Sequence, residues 1–317
     1  MAQHFLLSAA ARTLSLAKVM RMTDDQAFDA FRSIRWAETE GDAVCPRCGC
    51  FECYTFTARR IFKGCEAQFS VTSGTIFASR KMPLRDILAA IAIFVNGAKG
   101  HSALQLSRDL DCQYKTAFVL AHKIREALAA EQRASTIEGE VEVDGAYFGG
   151  YVKPANNRAD RKDRRRKIHQ NGKRQVVVVA PERAGETLTH VAKTEAEGAP
   201  FVLGNVAGDA TIHADEAGHW DALEAKYLTR RINHSVAYST PEACTNMAES
   251  FFSRLRRAEV GIHHHIAGPY LSAYAMEMAW REDNRRVSNG EQFLLATSSA
   301  LAHPVSRQWK SYWQRAA

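Results

Sequence analysis

Asp144, Asp215 and Glu249 are the residues of this sequence whose types and settings best suit chemistry. Asp144 interrupts the strand-like run Glu140-Val-Glu-Val-Asp-Gly, and Asp215 ends the short Thr-Ile-His-Ala run. Glu249 sits in a helix-like segment whose Phe251, Phe252 and Leu255 supply a buried side. Carboxylates brought together from separate elements repel one another unless cations lie among them. Mg2+ takes hard oxygen ligands, so such a trio suits an ion cradle. The reaction that most needs two ions is attack on a phosphodiester, where one activates the nucleophile and the other stabilises the leaving oxygen. Taken singly, each acid reads better as a strand-end or surface carboxylate. Order, context and the 34 positions from Asp215 to Glu249 make the set stronger than its members. Glu142, Asp209, Glu216 and Asp221 remain competitors, Glu142 above all, because alternation lets it share a sheet face with Asp144. Asn246 and Arg256 fall on nearly the same helical face as Glu249, so a basic residue there can meet a phosphate backbone.

A second cluster is made of sulfur. Of 7 cysteines, Cys45, Cys48, Cys50, Cys53 and Cys65 lie close together, interleaved with Tyr54, Phe56 and Phe62 in short strand-like runs, while Cys112 and Cys244 stand apart. The apolar run from Phe5 to Ala11 is short and follows no Lys or Arg, so no signal peptide is expected. No run approaches the roughly 18 apolar residues of a membrane span, and a cytoplasmic location is expected. In that setting a cysteine cluster reads as a metal site in a zinc-ribbon-like module rather than a disulfide framework. The net charge of +7 fits a polyanionic partner and a merely basic soluble protein equally well.

The elements that must position these groups follow from periodicity. Thr23 to Trp36 predicts a helix with capping-box spacing between Thr23 and Gln26. Pro83 opens a strongly apolar helix from Leu84 to Val95, stopped by Asn96-Gly97. Two further helices, about His101 to Leu110 and Gln113 to Ala130, predict a helix-turn-helix-like block with Gln113, Lys115, Thr116 and Lys123 off its apolar side. Those polar residues suit DNA contact, and equally the solvated face of a plain helical hairpin. From Glu138 the pattern turns to strands: Val141 to Tyr147, Gln175 to Ala180 with four consecutive valines, Thr187 to Ala192, Thr211 to Ala214, and Ile232 to Ala237. Helices are expected over Ala217 to Tyr227, Thr245 to Glu259 and Pro269 to Arg286. The sum is an α/β fold with a mixed sheet flanked by helices. The segment Arg158 to Arg174 holds nine Lys or Arg, including Arg164, Arg165, Arg166 and Lys167, and reads as an exposed loop able to touch DNA. His263, His264 and His265 read as a turn, and Met276, Met278 and Trp280 as core.

Taken in order, these residues resemble insertion-sequence DDE transposases of the fifteen-ninety-five type, whose catalytic region is the ISXO-two-like transposase domain. The resemblance runs from about Phe31 to Arg286. It rests on Arg35-Trp36, Cys45-Pro-Arg-Cys-Gly, Gln68-Phe-Ser-Val-Thr-Ser-Gly-Thr-Ile-Phe and Glu142-Val-Asp-Gly-Ala-Tyr-Phe-Gly-Gly. It continues in Asn233-His-Ser, Thr245-Asn-Met-Ala-Glu-Ser-Phe-Phe-Ser, Gly261-Ile-His-His-His-Ile and Trp280-Arg-Glu-Asp-Asn-Arg. The resemblance implies an RNase H-like core with Asp144 on its first strand, Asp215 after its fourth and Glu249 on a following helix. It implies two Mg2+ or Mn2+ ions, water cutting DNA at the element ends, and the freed 3′-hydroxyl attacking a target phosphodiester. Arg256 takes the place of the basic residue that often follows the third acid. The resemblance also implies two Cys-x-x-Cys pairs, and here the sequence departs from it. Cys45 and Cys48 form the first, but only Cys65 stands where the second belongs, leaving Cys50 or Cys53 to complete a four-ligand Zn2+ site.

The expected organisation is an N-terminal helical segment (1–40), a zinc-ribbon-like module (41–80), a helical DNA-binding block (81–132), an RNase H-like core (137–288) and a tail (289–317). The expected partner is double-stranded DNA, both terminal inverted repeats and target, engaged by a homodimer or larger assembly and without a membrane. The competing functions are a DNA-binding regulator or inactive copy, and an RNase H-like nuclease or resolvase that never joins strands.

Overall fold

Four consecutive valines, Val176 to Val179, are wholly buried because their strand is covered on both faces. Val176 and Val178 enter one apolar cluster and Val177 and Val179 the other. A run of alternating destinations therefore reads as continuous hydrophobicity, as a central strand requires. The structure, a computed structural model, describes residues 5–132, 136–150, 152–163, 166–183, 185–233, 236, 239–240, 243–309 and 312. The chain forms two compact units: Met1–Glu131 with Asn284–Ala317, and Gln132–Asp283.

In the first unit, α1 (Leu16–Met20) and α2 (Asp24–Arg35) precede a three-stranded antiparallel sheet of β1 (Tyr54–Phe56), β2 (Ile61–Lys63) and β3 (Gln68–Ser70). The Thr23 and Gln26 capping box expected from the sequence is formed at the start of α2. The other end of α2 is tied to the sheet. The Arg35 guanidinium donates to the carbonyls of Ser70, Val71 and Ser73 at 3.1, 2.6 and 2.6 Å, while Trp36 packs edge-on against Phe62 and Phe69. Next come α3 (Leu84–Asn96), buried around most of its circumference, α4 (Ala103–Asp109) and α5 (Tyr114–Gln132). Asp111, at φ 46°, makes the left-handed turn between α4 and α5, a conformation Asp tolerates better than most residues. Residues 289–317, for which the sequence offered no element, contain α9 (Asn289–Ala302), opened by a Ser288 and Glu291 capping box. Asn289 hydrogen-bonds Thr13, Leu14 and Asn96, which fastens the chain's end to its beginning. Among the described residues no helix is long and apolar enough to cross a membrane.

The second unit is a five-stranded mixed sheet in the order β6-β5-β4-β7-β8. β4 (Glu140–Gly149), β5 (Arg174–Pro181) and β6 (Thr187–Ala192) are antiparallel neighbours. β7 (Thr211–Asp215) runs parallel to β4, and β8 (Leu228–Ile232) parallel to β7. One face is covered by α6 (Gly198–Asn205) and the 3-10 run Gly218–Ala225, which inserts the fully buried Trp220. The other face carries α7 (Asn246–Ala258) and α8 (Leu271–Asp283), with Phe251, Phe252 and Leu255 turned into the core and Arg254 paired with Glu282. The class is the expected one, a mixed α/β core behind a small cysteine-rich module.

Three local expectations differ. The fifth strand is Leu228–Ile232 and not Ile232 to Ala237; of the latter, residues 234, 235 and 237 lie outside the described residues. The helix expected over Ala217 to Tyr227 is a 3-10 run, because the chain must turn tightly to plant Trp220 under the sheet. α6 was not anticipated. A Thr194 and Glu197 capping box precedes it and was a readable signal.

Candidate active site

The parallel pairing of β4 with β7 aligns Val143 with Ala214, so Asp144 and Asp215 follow side by side where β7 ends. Each is held locally: Asp144 Oδ1 accepts the Gly145 N–H at 2.7 Å, and Asp215 Oδ1 accepts that of Ala217 at 3.1 Å. Glu249 comes from the first turn of α7, where it is exposed. Asp144, Gly145, Ala146, Glu249, Phe252, Ser253, Arg256 and Arg257 line an open cavity of about 570 Å³. Asp144 and Glu249 therefore share a cleft with Arg256, whose guanidinium lies over the Phe148 ring at 5.8 Å.

Electrostatics link the third acid. Burial pushes the Asp144 carboxyl up to about 7, and the charges of Asp215, Glu195 and Glu249 push the same way against the Gly145 N–H. Negative charge is thus concentrated around Asp144, as a cation cradle built of hard oxygens would have it. The carboxylates are not closed on one point, however. Among the described residues, only Cys45, Cys48 and Cys65 form a group of three whose ligand atoms all lie within 4.8 Å of one another. Donor type and charge at the acids fit divalent ions, with the three groups more open than a filled site.

Two acids change standing. Glu195, missed in the sequence, lies in the turn before α6, pairs with His219 at 3.6 Å and is pushed up by burial, with Asp215 adding to the shift. Its approach depends on Gly145, since a Cβ there would lie 2.9 Å from Glu195 Cγ. Only that glycine, next to Asp144 in a strand-like run, hinted at a close neighbour. Glu142, the strongest competitor from spacing, does share the face of Asp144, but it is 1% exposed; the start of α7 donates to its Oε2, and Arg183 and Cys244 to its Oε1.

In the cysteine-rich module, Cys45 and Cys65 approach to 4.0 Å between sulfurs. The backbone N–H groups of Arg47 and Cys48 pull the Cys45 thiol down to about 6. Thiolate character is what a zinc ligand needs. A Cβ at Gly64 would fall 2.8 Å from Cys45 Sγ and 3.5 Å from Cys53 Sγ, so the Cys53 sulfur borders the same space. Cys53 is not within the group of three, and burial raises its thiol. Cys50 likewise lies outside the group of three, with its thiol donating to the Glu52 carbonyl at 3.6 Å. All seven cysteines are free.

Of the basic residues, Lys115 is exposed on α5, Lys123 is half-buried with its ammonium pushed down by burial, and Arg166 is exposed. Arg164 and Arg165 lie outside the described residues, and Lys167 opens a 3-10 turn.

Comparison with known families agrees with the division of the chain. The ISXO2-like transposase domain matches residues 136–283, which is nearly the whole second unit, and the transposase zinc-ribbon domain matches residues 22–68, from α2 to the start of β3. No curated protein matches the chain. With a mixed sheet bearing Asp144 and Asp215, a helix bearing Glu249, and a cysteine cluster ahead of them, the chain belongs to the insertion-sequence DDE transposases that join these two domains.

Proposed function

We propose that the protein cuts DNA at the ends of an insertion sequence and joins those ends to target DNA, with Asp144, Asp215 and Glu249 holding two Mg2+ or Mn2+ ions. The observation that carries this reading is geometric: Asp144 on β4 lies beside Asp215 at the end of β7 and lines one cavity with Glu249 and Arg256 of α7. When bound, the ions supply positive charge that activates the attacking oxygen and stabilises the leaving one. The protein's own contribution is placement. β4 fixes Asp144, the end of β7 fixes Asp215, and α7 presents Glu249 and Arg256 to one cavity. Arg256 binds the DNA backbone beside the acids, and Arg164, Arg165, Arg166 and Lys167 extend that contact along the loop before β5. Lys115 and Lys123 are assigned to DNA through the helical block of residues 81–132. Cys45, Cys48 and Cys65, with Cys53 as fourth ligand, hold Zn2+ in the ribbon. Two element ends must be handled together, so the working form on DNA is a dimer or larger.

The test is a strand-transfer assay with labelled DNA carrying the element's inverted repeats, in Mg2+ or Mn2+. Glu249→Gln should lower cleavage about a thousandfold, since losing metal-borne charge stabilisation costs several kcal/mol of barrier. Joined product supports transposition. Cutting without joining points to a nuclease, and neither reaction points to a DNA-binding regulator or inactive copy.

A further inference from the structure

The start of α7 has an unusual anchor. Its N-cap residue, Thr245, makes no side-chain capping bond, although the first amides of a helix need acceptors. The acceptor comes from the sheet instead. Glu142, on β4 and only 1% exposed, takes the Met247 N–H at 2.7 Å and the Ala248 N–H at 3.3 Å on Oε2. Its other oxygen accepts from Arg183 Nε at 3.3 Å and from the Cys244 thiol at 3.4 Å. Arg183 is itself fixed, because its backbone N–H donates to the Glu140 carbonyl at 2.9 Å, its guanidinium pairs with the Glu140 carboxylate, and Nη2 lies 2.9 Å from Cys244 Sγ. A carboxylate is a costly group to bury, tolerated only where its charge is met. Here it is met by the positive end of a helix and a guanidinium.

The position of this anchor gives it meaning. Met247 and Ala248 are the second and third residues of α7, and Glu249 is the next. Asp144 is two residues beyond Glu142 on the same strand and the same face. One strand therefore carries Asp144 directly and grips, through Glu142, the turn that carries Glu249. We propose that Glu142 is a positioning residue: with Arg183 it pins the first turn of α7 to β4 and so sets the gap between Asp144 and Glu249 across which cations bind. The role rests on the reading of those two acids as cation holders. Glu142 itself touches no cation, because both its oxygens are already engaged.

Two measurements on the full chain test this. The first is amide hydrogen exchange followed on peptides spanning residues 245–250. Glu142→Ala should speed exchange there about tenfold or more, as expected for loss of bonds to a charged acceptor. Glu142→Gln, which keeps an oxygen for the two amides, should do so by less, and it carries the test if the alanine variant fails to fold. The second is Mn2+ titration read by electron paramagnetic resonance. Affinity should fall about tenfold in Glu142→Ala, as for other residues that orient metal ligands. Glu142→Gln should fall between that variant and the parent, and high Mn2+ should restore much of its DNA cleavage rate, which Glu249→Gln does not regain. Unchanged exchange at residues 245–250, or Mn2+ affinity equal to the parent's in both Glu142 variants, overturns the proposal. Unaltered Mn2+ binding in Asp144→Asn and Glu249→Gln would instead fault the site itself, and with it any positioning role for Glu142.

Discussion

Replacing Asp144 by Asn should make the metal-free fold more stable while removing its activity. The Asp144 carboxyl is raised from 3.8 to about 7, first by burial and then by Asp215, Glu195 and Glu249. An acid whose folded pKa exceeds its unfolded one favours the fold while protonated. That contribution is whole below the unfolded pKa and is lost as pH rises through about 7. At about 1.4 kcal/mol per unit, the full loss at pH 8 is roughly 4 kcal/mol. Partial exposure to the cleft and local relaxation reduce it to about 2–3 kcal/mol. Asparagine keeps the shape without the charge, so it should recover that amount at pH 8 and nothing near pH 4. Urea unfolding without added Mg2+ or Mn2+ measures this, read by pulsed hydrogen exchange on peptides from residues 132–283 so that melting of the other unit does not enter. Adding Mn2+ should then largely close that gap, because only the parent gains about 2.7 kcal/mol at a hundred times its dissociation constant. A variant no more stable than the parent at pH 8, or stabilised equally at pH 5 and pH 8, would refute the reasoning.

A second acid should behave alike for reasons unrelated to function. Burial raises Asp283 to about 6; its Oδ2 accepts the Thr187 N–H at 3.2 Å, while Oδ1 has no hydrogen-bond partner among the described residues. Its contribution is likewise whole below about pH 4 and lost as pH passes through about 6, so Asp283→Asn should add about 2 kcal/mol at pH 7.5 and nothing at pH 4 by the same unfolding assay. In the ribbon, Gly64→Ala would place a Cβ 2.6 Å from Cys45 Cβ and 2.8 Å from Cys45 Sγ. Zn2+ affinity, measured by competition with a chromophoric chelator, should fall about tenfold or more through distortion of that ligand set. Equal affinity would mean that Cys45 is not a ligand.

The sequence was most legible where local and global demands agree. The valine run names a central strand because both of its faces are covered, and the Thr23 and Gln26 capping box names the start of α2 because it is satisfied there as in an isolated helix. It was least legible where tertiary contacts overrule propensity. α6 begins at Gly198, followed by Ala199-Pro200, and is held in place by packing, with Gly198 so close to Trp220 and Val178 that a Cβ would lie 2.9 Å from each. β8 carries Arg230 and Arg231 because it is an edge strand, where charge discourages further pairing, and that composition hides it from a search for apolar alternation. The same distinction runs through the candidate site. Asp144 stands out as an acid at the end of a strand-like alternation, and Glu249 as an acid on a helix whose Phe251, Phe252 and Leu255 mark a buried side. Glu195 is a loop acid like many others, and only the folded approach over Gly145 brings it near Asp144.

Glu142 and Asp144 show what alternation does and does not settle. Two acids two residues apart on one strand must share a face, so spacing treats them alike. Their surroundings do not. Glu142 lies under the first turn of α7, where the helix's unpaired amides and Arg183 offset its charge, and a carboxylate with four such partners has no need of a cation. One pleat further along, the neighbours of Asp144 are themselves acids, and the strand opens onto the cavity shared with Glu249. The helix end that neutralises the first carboxylate is the same element that brings another negative group to the second. A single placement of α7 over β4 thus makes one acid a structural anchor and leaves its neighbour with excess negative charge, and that excess is what a divalent cation would relieve.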